Sequence, residues 1–393
     1  MAIKKYSKYA ASLVMQGSPA YLSKEIIKDS LNIKNQTYNN EKHIRAAINW
    51  LLKAQDVNND GGVSALYSMI EGWHPSYSET TGYIIPTMFN YYHKTKDEKI
   101  KKSAIEMAEW ELSKQMKNGA FPGAATKDKE FPIVFNTGQV IFGMARAFQE
   151  TKEKKYKKAA ERAANWLVRV QNKNGCWDRF DYLNKIHTYN TRTAWPLLKV
   201  HDITKKEIYE KAAKKNIDWA IAQQLENGWF ENNAFHEKQE PLLHTIAYTI
   251  QGILECGIYL KNKEYIDTAK KSADVLLELQ KEGGSLAGSF DRHWKTSVKW
   301  SCLTGNSQMA ICWLRLYDIT KNKDYFEAAK KANDFVKSTQ DLSSRNEGIK
   351  GGIKGAYPIY GWYAPFCYIN WAAKFFIDAL MMEEDLRVGD KLG

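Results

Sequence analysis

Apolar and polar residues alternate with a helical period along most of the chain, most clearly in the segment 153–204. Apolar residues recur there every three or four positions, as on one face of an amphipathic helix: Tyr156, Ala159, Ala160, Ala163 and Trp166. This run ends at Gln171, ahead of Asn174-Gly175, and a second helical run begins near Thr191. The spacing predicts a helical hairpin of about fifty residues, the size of an α-helical repeat.

A short template recurs along the chain: an acidic or amide residue, a large apolar residue, and a Gln five positions after the apolar one. It matches at six places, which begin at Asn49, Glu109, Asn165, Asp218, Asp274 and Asp334. In four copies a Gly follows the Gln by four residues, where a helix C-terminus favours a residue that adopts positive φ. The copies predict six helical hairpins in succession.

The second helix of each predicted hairpin begins at a group of polar residues. These groups lie at 80–81, 136–137, 190–191, 244–245, 303–306 and, less clearly, 368–370. Ser, Thr and Asn at such positions are ordinary helix caps. Tyr189, Arg192 and His244 are not typical caps, yet they share the register. Six polar helix starts at one level predict a ring of polar groups around a common mouth.

The two helices of each hairpin differ in composition. The first helices carry lysines on one face, as at 211–215, 270–271 and 330–331, whereas the second helices are apolar nearly all round. This difference predicts an outer and an inner layer. We therefore expect an all-α protein, a double-walled (α/α)6 toroid, with an open solenoid as the alternative.

Length and composition favour a single globular domain. The chain has 393 residues, of which 44% are hydrophobic and 26% charged. The repeat runs without a linker, so we expect a toroid at 41–382, a helical lead-in at 1–40 and a C-terminal tail at 383–393. No apolar run reaches the length of a membrane span, and the basic start precedes a segment too polar for a signal peptide. A cytoplasmic protein is expected.

Cysteines and charge exclude several classes of protein. The five cysteines are scattered without CxxC spacing, so we expect neither a disulfide framework nor a zinc site, and no cofactor. The net charge is +12, but the lysines follow the wet faces of helices and no basic-aromatic nucleic-acid motif occurs. The positive field would instead attract an anionic substrate. The sequence indicates no oligomeric state.

The template carries a resemblance to known proteins. With the loops Gln-Asn-Lys-Asn-Gly-Cys-Trp177 and Gln-Leu-Glu-Asn-Gly-Trp229, it resembles the six-hairpin glycosidase superfamily over about 41–382. That group of (α/α)6 toroids includes glycoside hydrolases, unsaturated glucuronyl hydrolases, polysaccharide lyases and sugar epimerases. The Gln…Gly-Trp pattern is also similar to repeats of terpene cyclases and prenyltransferases, although no Asp-rich diphosphate site or cyclase acid motif is present. A shared fold leaves the reaction open.

The long loops that lead into the second helices contain many aromatic and polar residues. Flat aromatic faces bind sugar rings and polar groups bind hydroxyls, as in carbohydrate clefts. The expected saccharide-binding residues are Trp73, His74, Trp177, Asp178, Trp229, Glu231, Trp294 and Trp362 in the loops, with Asn136, Asn190, Arg192 and Asn306 at the helix starts. The alternative is that the loop aromatics only pack the rim.

Hydrolysis of a glycosidic bond needs a carboxylic acid and a second carboxylate. Glu79 and Asp291 are the leading pair, since each lies among aromatic residues near the start of a second helix. Asp60, Asp178 and Glu231 are reserves. The alternative readings are a first-turn helix acid for Glu79 and a loop ion pair with Arg292 or Arg179 for Asp291.

β-Elimination needs different residues, which neutralise a uronate and remove its C5 proton. His244 and Tyr189 are candidate bases, and Asn136, Asn190 and Arg192 are candidate uronate ligands. C5-epimerisation would use the same proton abstraction. Arg192 stands at a helix start, where the dipole disfavours a cation, so its position predicts a carboxylate partner from substrate or protein.

Together these patterns predict an enzyme that cleaves a glycosidic bond in a uronate-containing oligo- or polysaccharide by acid–base hydrolysis. Lyase or C5-epimerase activity is the nearest alternative. A non-catalytic glycan-binding toroid and a terpene-type toroid are the alternatives from other classes.

Overall fold

The computed structural model describes residues 19–123, 131–236 and 238–392. These residues form thirteen α-helices: α1 (Pro19–Ser30), α2 (Asn40–Asp56), α3 (Ser78–Thr95), α4 (Glu98–Lys114), α5 (Val134–Thr151), α6 (Lys154–Val170), α7 (Thr191–Thr204), α8 (Glu207–Ile221), α9 (Leu243–Leu260), α10 (Lys263–Glu278), α11 (Leu303–Thr320), α12 (Lys323–Thr339) and α13 (Asn370–Leu392). Residues 1–18 of the predicted lead-in and residue 393 of the predicted tail lie outside the described residues.

The helices form two concentric rings. Helices α3, α5, α7, α9, α11 and α13 each pack against the next, and α13 returns to α3, which closes the inner ring. Every residue of α9 from 243 to 257 is buried, whereas α6 of the outer ring buries one face. The chain is thus an (α/α)6 toroid as predicted, and the open solenoid is excluded because the ring closes.

The template Gln residues join neighbouring repeats. Gln171 Nε2 donates to the carbonyl oxygens of Gly175 in its own loop and Ala212 in the next outer helix, at 2.9 Å each. Gln115 and Gln280 make the same pair of bonds in their repeats. Gln340 Nε2 donates to Gly351 O at 2.7 Å and, across the closure, to His43 O at 3.4 Å. The Gln therefore joins the loop after its own outer helix to the next outer helix.

The acidic or amide residue of the template accepts a hydrogen bond from a tyrosine of the next repeat. Tyr209 Oη donates to Asn165 Oδ1 at 2.8 Å. Tyr156, Tyr265 and Tyr325 donate in the same way to Glu109, Asp218 and Asp274. Each bond contributes about 1 kcal/mol, and repetition around the ring makes the template a structural signature.

The two faces of the toroid differ in their connections. The six long loops 57–77, 115–133, 171–190, 222–242, 279–302 and 340–369 all lead into the N-termini of inner helices, so they share one face, the mouth. Two-residue turns join inner to outer helices at the opposite face, the rear.

Short strands connect the mouth loops. The strands are β1 (Leu66–Ser68), β2 (Gly72–Trp73), β3 (Ser301–Cys302), β4 (Ala356–Tyr357) and β5 (Cys367–Ile369). β1 pairs antiparallel with β2 and with β5, with Tyr67 opposite Tyr368. β3 pairs antiparallel with β4. The β1–β5 pairing joins the first and last loops, so it also closes the ring.

Helix α1 is fixed to the last mouth loop by a buried charge cluster. Lys354 Nζ lies 2.8 Å from Glu25 Oε2 and 2.7 Å from Asp29 Oδ1, and all three residues are at most 3% exposed. Asp29 Oδ2 also accepts the N–H of Ile359 at 2.8 Å. These partners offset the desolvation of three buried charges.

Three further features bear on the sequence predictions. Helix α13 continues through the predicted boundary at residue 382, and Glu383 is buried, where it accepts a bond of 2.7 Å from Asn333 Nδ2. All five cysteines are free. In the described ranges no helix is long and apolar enough to cross a membrane, and no cluster of His, Cys, Asp or Glu has the arrangement of a metal site.

Candidate active site

A chain of hydrogen bonds at the mouth links the starts of two inner helices. Glu79 lies in the first turn of α3, and Tyr77 precedes that helix in extended backbone. Tyr77 Oη donates to Glu79 Oε2 at 2.9 Å, and Asn136 Nδ2 at the start of α5 donates to Tyr77 Oη at 3.2 Å and to Pro122 O at 3.0 Å. The predicted residues Glu79 and Asn136 therefore share one network.

The Glu79 carboxyl is desolvated. Burial and, to a smaller extent, the charge of the nearby Asp181 raise its pKa to about 7, although the hydrogen bond from Tyr77 opposes the shift. A carboxyl with this pKa carries a proton at neutral pH in a substantial fraction of molecules.

Asp181 is a second buried carboxyl, from the loop before α7. It is 3% exposed, and Asn190 Nδ2 donates to its Oδ2. Its Oδ1 is buried and has no hydrogen-bond partner among the described residues. Burial raises the pKa of Asp181, while His187 and the bond from Asn190 oppose the shift.

An aromatic wall runs beside these carboxyls. Tyr189 stacks on His187 with ring centroids 4.5 Å apart, and Phe135 contacts both Tyr189 and Tyr248, at 5.4 and 5.2 Å. His244 lies 4.3 Å from the Tyr248 ring centroid. The wall therefore joins the predicted bases Tyr189 and His244 through the starts of α5, α7 and α9.

The protonation of these bases follows from their burial. Burial lowers the pKa of His244 to about 4, while the bond between its Nδ1 and Gln308 Oε1, 2.8 Å long, opposes the shift. His244 is thus a neutral imidazole at neutral pH. Burial raises the pKa values of Tyr189 and Tyr248, so both phenols keep their protons.

Asp291 lies apart from this network. It sits in a turn of the loop before α11, where its Oδ1 accepts the N–H groups of His293 and Lys295 at 2.9 Å each. The bond from Lys295 lowers the pKa of Asp291 most, and the bond from His293 also lowers it. The charge that acts on Glu79 is Asp181, not the Asp291 of the predicted pair.

Three other predicted residues surround Asp291 at the rim. Trp229 packs edge-on against Trp294 at 5.1 Å, and Trp294 Nε1 donates to Asn227 O at 2.9 Å. Glu231 pairs with Arg292 at 3.1 Å. Asp291, Trp229, Glu231 and Trp294 therefore form a rim cluster, defined by these four residues.

Two predicted binding residues are structural. Trp177 is fully buried, and its Nε1 donates to Leu167 O at 3.0 Å beneath α6, so a sugar cannot reach it. Asn306 is also fully buried: its Oδ1 accepts the N–H of Leu286 at 2.9 Å and its Nδ2 donates to Cys302 O at 2.8 Å. The expectation that Trp177 and Asn306 bind saccharide is therefore wrong, because both side chains are buried. The sequence pattern does not show which way a loop residue points.

The remaining loop predictions lie on the rim. Trp73 packs at 5.2 Å from both Tyr67 and Trp50, and His74 Nε2 lies 3.1 Å from Glu71. Asp178 lies 3.7 Å from Arg179. Trp362 is 57% exposed, so it offers an open aromatic face.

Arg192 is directed away from the mouth. Its guanidinium lies 4.9 Å from the Trp195 ring and 5.5 Å from the Tyr248 ring, and its Nη1 donates to Gln251 Oε1 at 2.9 Å. It lines a cavity of about 650 Å³ between the inner helices on the side away from the mouth loops. The expectation that Arg192 binds substrate beside Asn136 is therefore at odds with its position at the rear side of the Tyr248 ring.

Sequence reasoning missed Tyr77, Asp181 and His187 as site residues. One indication of Tyr77 was present in the sequence, since a residue two positions before a first-turn acid is within hydrogen-bond reach of that acid. No indication of Asp181 and His187 was present there, because the irregular loop between residues 171 and 190 sets their positions.

Comparison with known proteins defines the fold class. The family model for the squalene-hopene cyclase C-terminal domain matches residues 124–193. Among curated proteins, none matches this sequence. An unsaturated glucuronyl hydrolase specific for heparin superposes with a TM-score of 0.71 at 16% identity, over 88% of this chain and 97% of that one.

Enzymes of other reactions superpose equally well. D-mannose isomerase gives a TM-score of 0.69 at 12% identity, over 88% of this chain and 97% of its own. Cellobiose 2-epimerase from Bacillus thermoamylovorans gives 0.68 at 12% identity, over 84% and 95%. These likenesses show the fold: the chain is an (α/α)6 toroid, as the sequence template predicted.

Proposed function

We propose that the protein is a carbohydrate-active enzyme that hydrolyses a glycosidic bond, with Glu79 as general acid. The observation that carries this proposal is the partly buried Glu79 carboxyl, which accepts a hydrogen bond from Tyr77 and whose pKa is raised to about 7 by desolvation and by the charge of the buried Asp181. Two carboxyl groups in unequal environments are the equipment of acid–base glycoside hydrolysis.

In the proposed step the bond between the anomeric carbon and the glycosidic oxygen breaks, and that oxygen takes the proton of Glu79. A water molecule adds to the anomeric carbon and transfers its proton to Asp181. Asn190 holds one oxygen of Asp181, which leaves the unpartnered Oδ1 available to that water. Tyr77, which Asn136 holds by a bond to its Oη, donates to the Glu79 carboxyl and stabilises its ionised form after transfer.

A uronate-containing oligosaccharide is the proposed substrate class. The exposed Trp362 and the partly exposed Trp73 at the mouth offer apolar faces for sugar rings. The net charge of +12 favours the approach of an anionic saccharide. Some proteins with this fold are unsaturated glucuronyl hydrolases, which makes unsaturated uronyl disaccharides the first substrates to try.

The test is an activity screen of the purified protein on unsaturated uronyl disaccharides, uronate polysaccharides and neutral polysaccharides. Reducing ends and the ultraviolet absorbance of unsaturated uronate are read together. New reducing ends without a gain in absorbance support hydrolysis. A substrate panel with no new ends under any condition contradicts the proposal.

β-Elimination or C5-epimerisation is the second candidate, favoured by one observation. His244 is a neutral imidazole in contact with the Tyr248 ring, so it can accept a proton. Elimination would add absorbance together with new ends. Epimerisation would exchange the C5 proton with deuterated solvent without new ends, and either result would shift mutagenesis from Glu79 to His244.

A further inference from the structure

The cavity at the rear has no part in the proposed hydrolysis. It lies between the inner helices on the side away from the mouth loops, and its volume of about 650 Å³ falls in the range of small-molecule sites. Tyr83 and Phe142 are among its lining residues, and Arg192 separates it from the Tyr248 ring.

The lining of this cavity has an excess of cations. It contains six Lys or Arg residues, Lys94, Arg146, Arg192, Lys199, Arg315 and Lys374, against the three carboxylates Glu255, Asp378 and Asp385. Each of these carboxylates forms an ion pair with one lining cation. The pairs are Arg315 with Glu255 at 2.9 Å, Lys374 with Asp378 at 2.6 Å, and Lys94 with Asp385. Arg146 pairs with Glu150 at 2.7 Å.

Two cations remain without an ion pair in the described part of the chain, Arg192 and Lys199. Arg192 is 2% exposed and its side chain makes one hydrogen bond, to Gln251, while its Nε has no partner among the described residues. A buried guanidinium without a carboxylate is costly, because its charge is desolvated and one donor is unsatisfied.

Helix dipoles explain several of these cations but not Arg192. All six inner helices end at the rear, and cations near helix C-termini are stabilised. Arg192, however, is the second residue of α7, at the positive end of that helix. Its guanidinium lies among four aromatic rings. The carboxylates that act on it, Asp378 and Glu255, are each paired with another cation, so an anionic ligand would give Arg192 a direct partner.

One face of α7 lines the cavity. It carries Arg192, Trp195 and Lys199, which are spaced three and four residues apart. The Trp195 ring packs edge-on against Phe142 at 4.7 Å. A planar aromatic surface between two free cations suits a ligand with an anionic group and an apolar or sugar-ring body.

We propose that the rear cavity binds a small oxyanion, a phosphate ester or carboxylate of about mono- to disaccharide size, through Arg192 and Lys199. The fork of donors on a guanidinium matches the oxygens of either group. This site is separate from the mouth, so the proposal does not depend on the hydrolytic function.

Titration calorimetry of the full-length protein at constant ionic strength tests the proposal, with inorganic phosphate, glucose 6-phosphate, glucuronate and neutral glucose as probes. We expect saturable binding of at least one charged probe with one site per chain, and none of glucose. A preference for glucose 6-phosphate assigns a phosphate ester, and a preference for glucuronate assigns a carboxylate.

The variants Arg192→Gln and Lys199→Gln identify the site. Arg192→Gln should weaken binding at least about tenfold, since a charge-assisted pair is lost, and Lys199→Gln about threefold or more. Lys205→Gln is the matched control, because Lys205 caps the C-terminus of the same helix but does not line the cavity. We expect it to change affinity less than about twofold.

Two results would overturn the proposal: no saturable binding of any charged probe at millimolar concentration, or equal losses in Lys199→Gln and Lys205→Gln, which would indicate attraction by the surface alone. Lys199 is only partly buried, so this contrast still decides the question if Arg192→Gln does not fold.

Discussion

The mouth and the rear face lie at opposite ends of the same six inner helices, and they hold opposite kinds of charge. At the mouth, the desolvated ionisable groups include the carboxyls of Glu79 and Asp181. At the rear, Lys and Arg exceed carboxylates two to one in the cavity lining. Parallel helix dipoles favour this division, since their positive ends meet at the mouth and their negative ends at the rear.

The two faces also differ in how their backbone is built. Long loops with strand pairs and an anchored α1 form the mouth, while two-residue turns form the rear. Catalytic side chains commonly come from loops on a rigid scaffold. This difference favours the mouth for the proposed hydrolysis and the rear for the proposed binding of an anion.

The largest expected effect is on catalysis at the mouth. Glu79→Gln removes the proposed general acid but keeps an oxygen that accepts the Tyr77 bond, so the fold should be retained. We expect kcat to fall on the order of 10²- to 10⁴-fold, the usual contribution of general acid catalysis. Initial rates on the substrate found in the activity screen measure this change.

Asp291→Asn is the matched control for that variant. Asp291 belongs to the rim cluster, with its Oδ1 bonded to backbone of its own turn, so its kcat should remain within a few-fold of native. If Asp291→Asn abolished activity and Glu79→Gln did not, the assignment of the acid would be wrong.

The next effect concerns the stability of the mouth. Lys354→Met removes the cation between Glu25 and Asp29 and leaves two carboxylates buried without it. We expect a loss of roughly 3–5 kcal/mol in the free energy of unfolding, as when one partner of a buried ion pair is removed. Denaturant unfolding followed by circular dichroism gives the value.

Lys350→Met is the control, since Lys350 is an exposed lysine of the same loop and its replacement should change stability by less than about 0.5 kcal/mol. Equal effects of the two substitutions would show that the buried cluster does not hold α1 in place.

The pH dependence of stability isolates the Glu79 environment. Its pKa is about 7 in the folded protein, against an ordinary value of 4.5, so between these values the folded state binds more protons and stability falls as pH rises. Glu79→Gln does not titrate, so its stability relative to native should increase between pH 4.5 and pH 8. The gain should be on the order of 1–3 kcal/mol, because one pKa unit corresponds to about 1.4 kcal/mol.

Unfolding free energies of both proteins across this pH range measure that gain. Asp291→Asn should show no such gain, because backbone hydrogen bonds lower the pKa of the Asp291 carboxyl. A flat difference between native and Glu79→Gln would mean that the carboxyl is not desolvated. The same titration predicts that activity declines as pH rises through about 7, when Glu79 loses its proton.

The regular part of the fold could be predicted from the sequence because it repeats. The helical period, the Lys-bearing outer faces and six template copies fixed the two rings, and Gln171 and its equivalents proved to be the bonds between repeats. Glu79 could be proposed from the sequence because a helix start is visible there. Asp181, whose charge acts on Glu79, could not, since a twenty-residue loop brings it there.

Two tryptophans in the mouth loops show what the sequence pattern could not predict. Trp177 lies two residues after Gly175 and Trp362 directly after Gly361, both in mouth loops, yet Trp177 is fully buried and Trp362 is 57% exposed. Sequence pattern records residue type and not the direction of an irregular backbone. Arg192 shows the converse, since its position at a helix start correctly indicated an unusual cation but not that its side chain turns to the rear.

The smallest expected effect tests the dipole argument at the rear. Lys205 caps the C-terminus of α7 with a φ of 61°, a conformation that Asn also tolerates. Lys205→Asn thus removes the charge with little change of backbone preference and should cost about 0.3–1 kcal/mol at low ionic strength. Added salt should abolish the loss by screening.

Lys173→Asn in a mouth loop, where Lys173 is exposed, should change stability less and without salt dependence. Equal salt-dependent losses at both positions would assign the effect to overall charge and not to the helix ends.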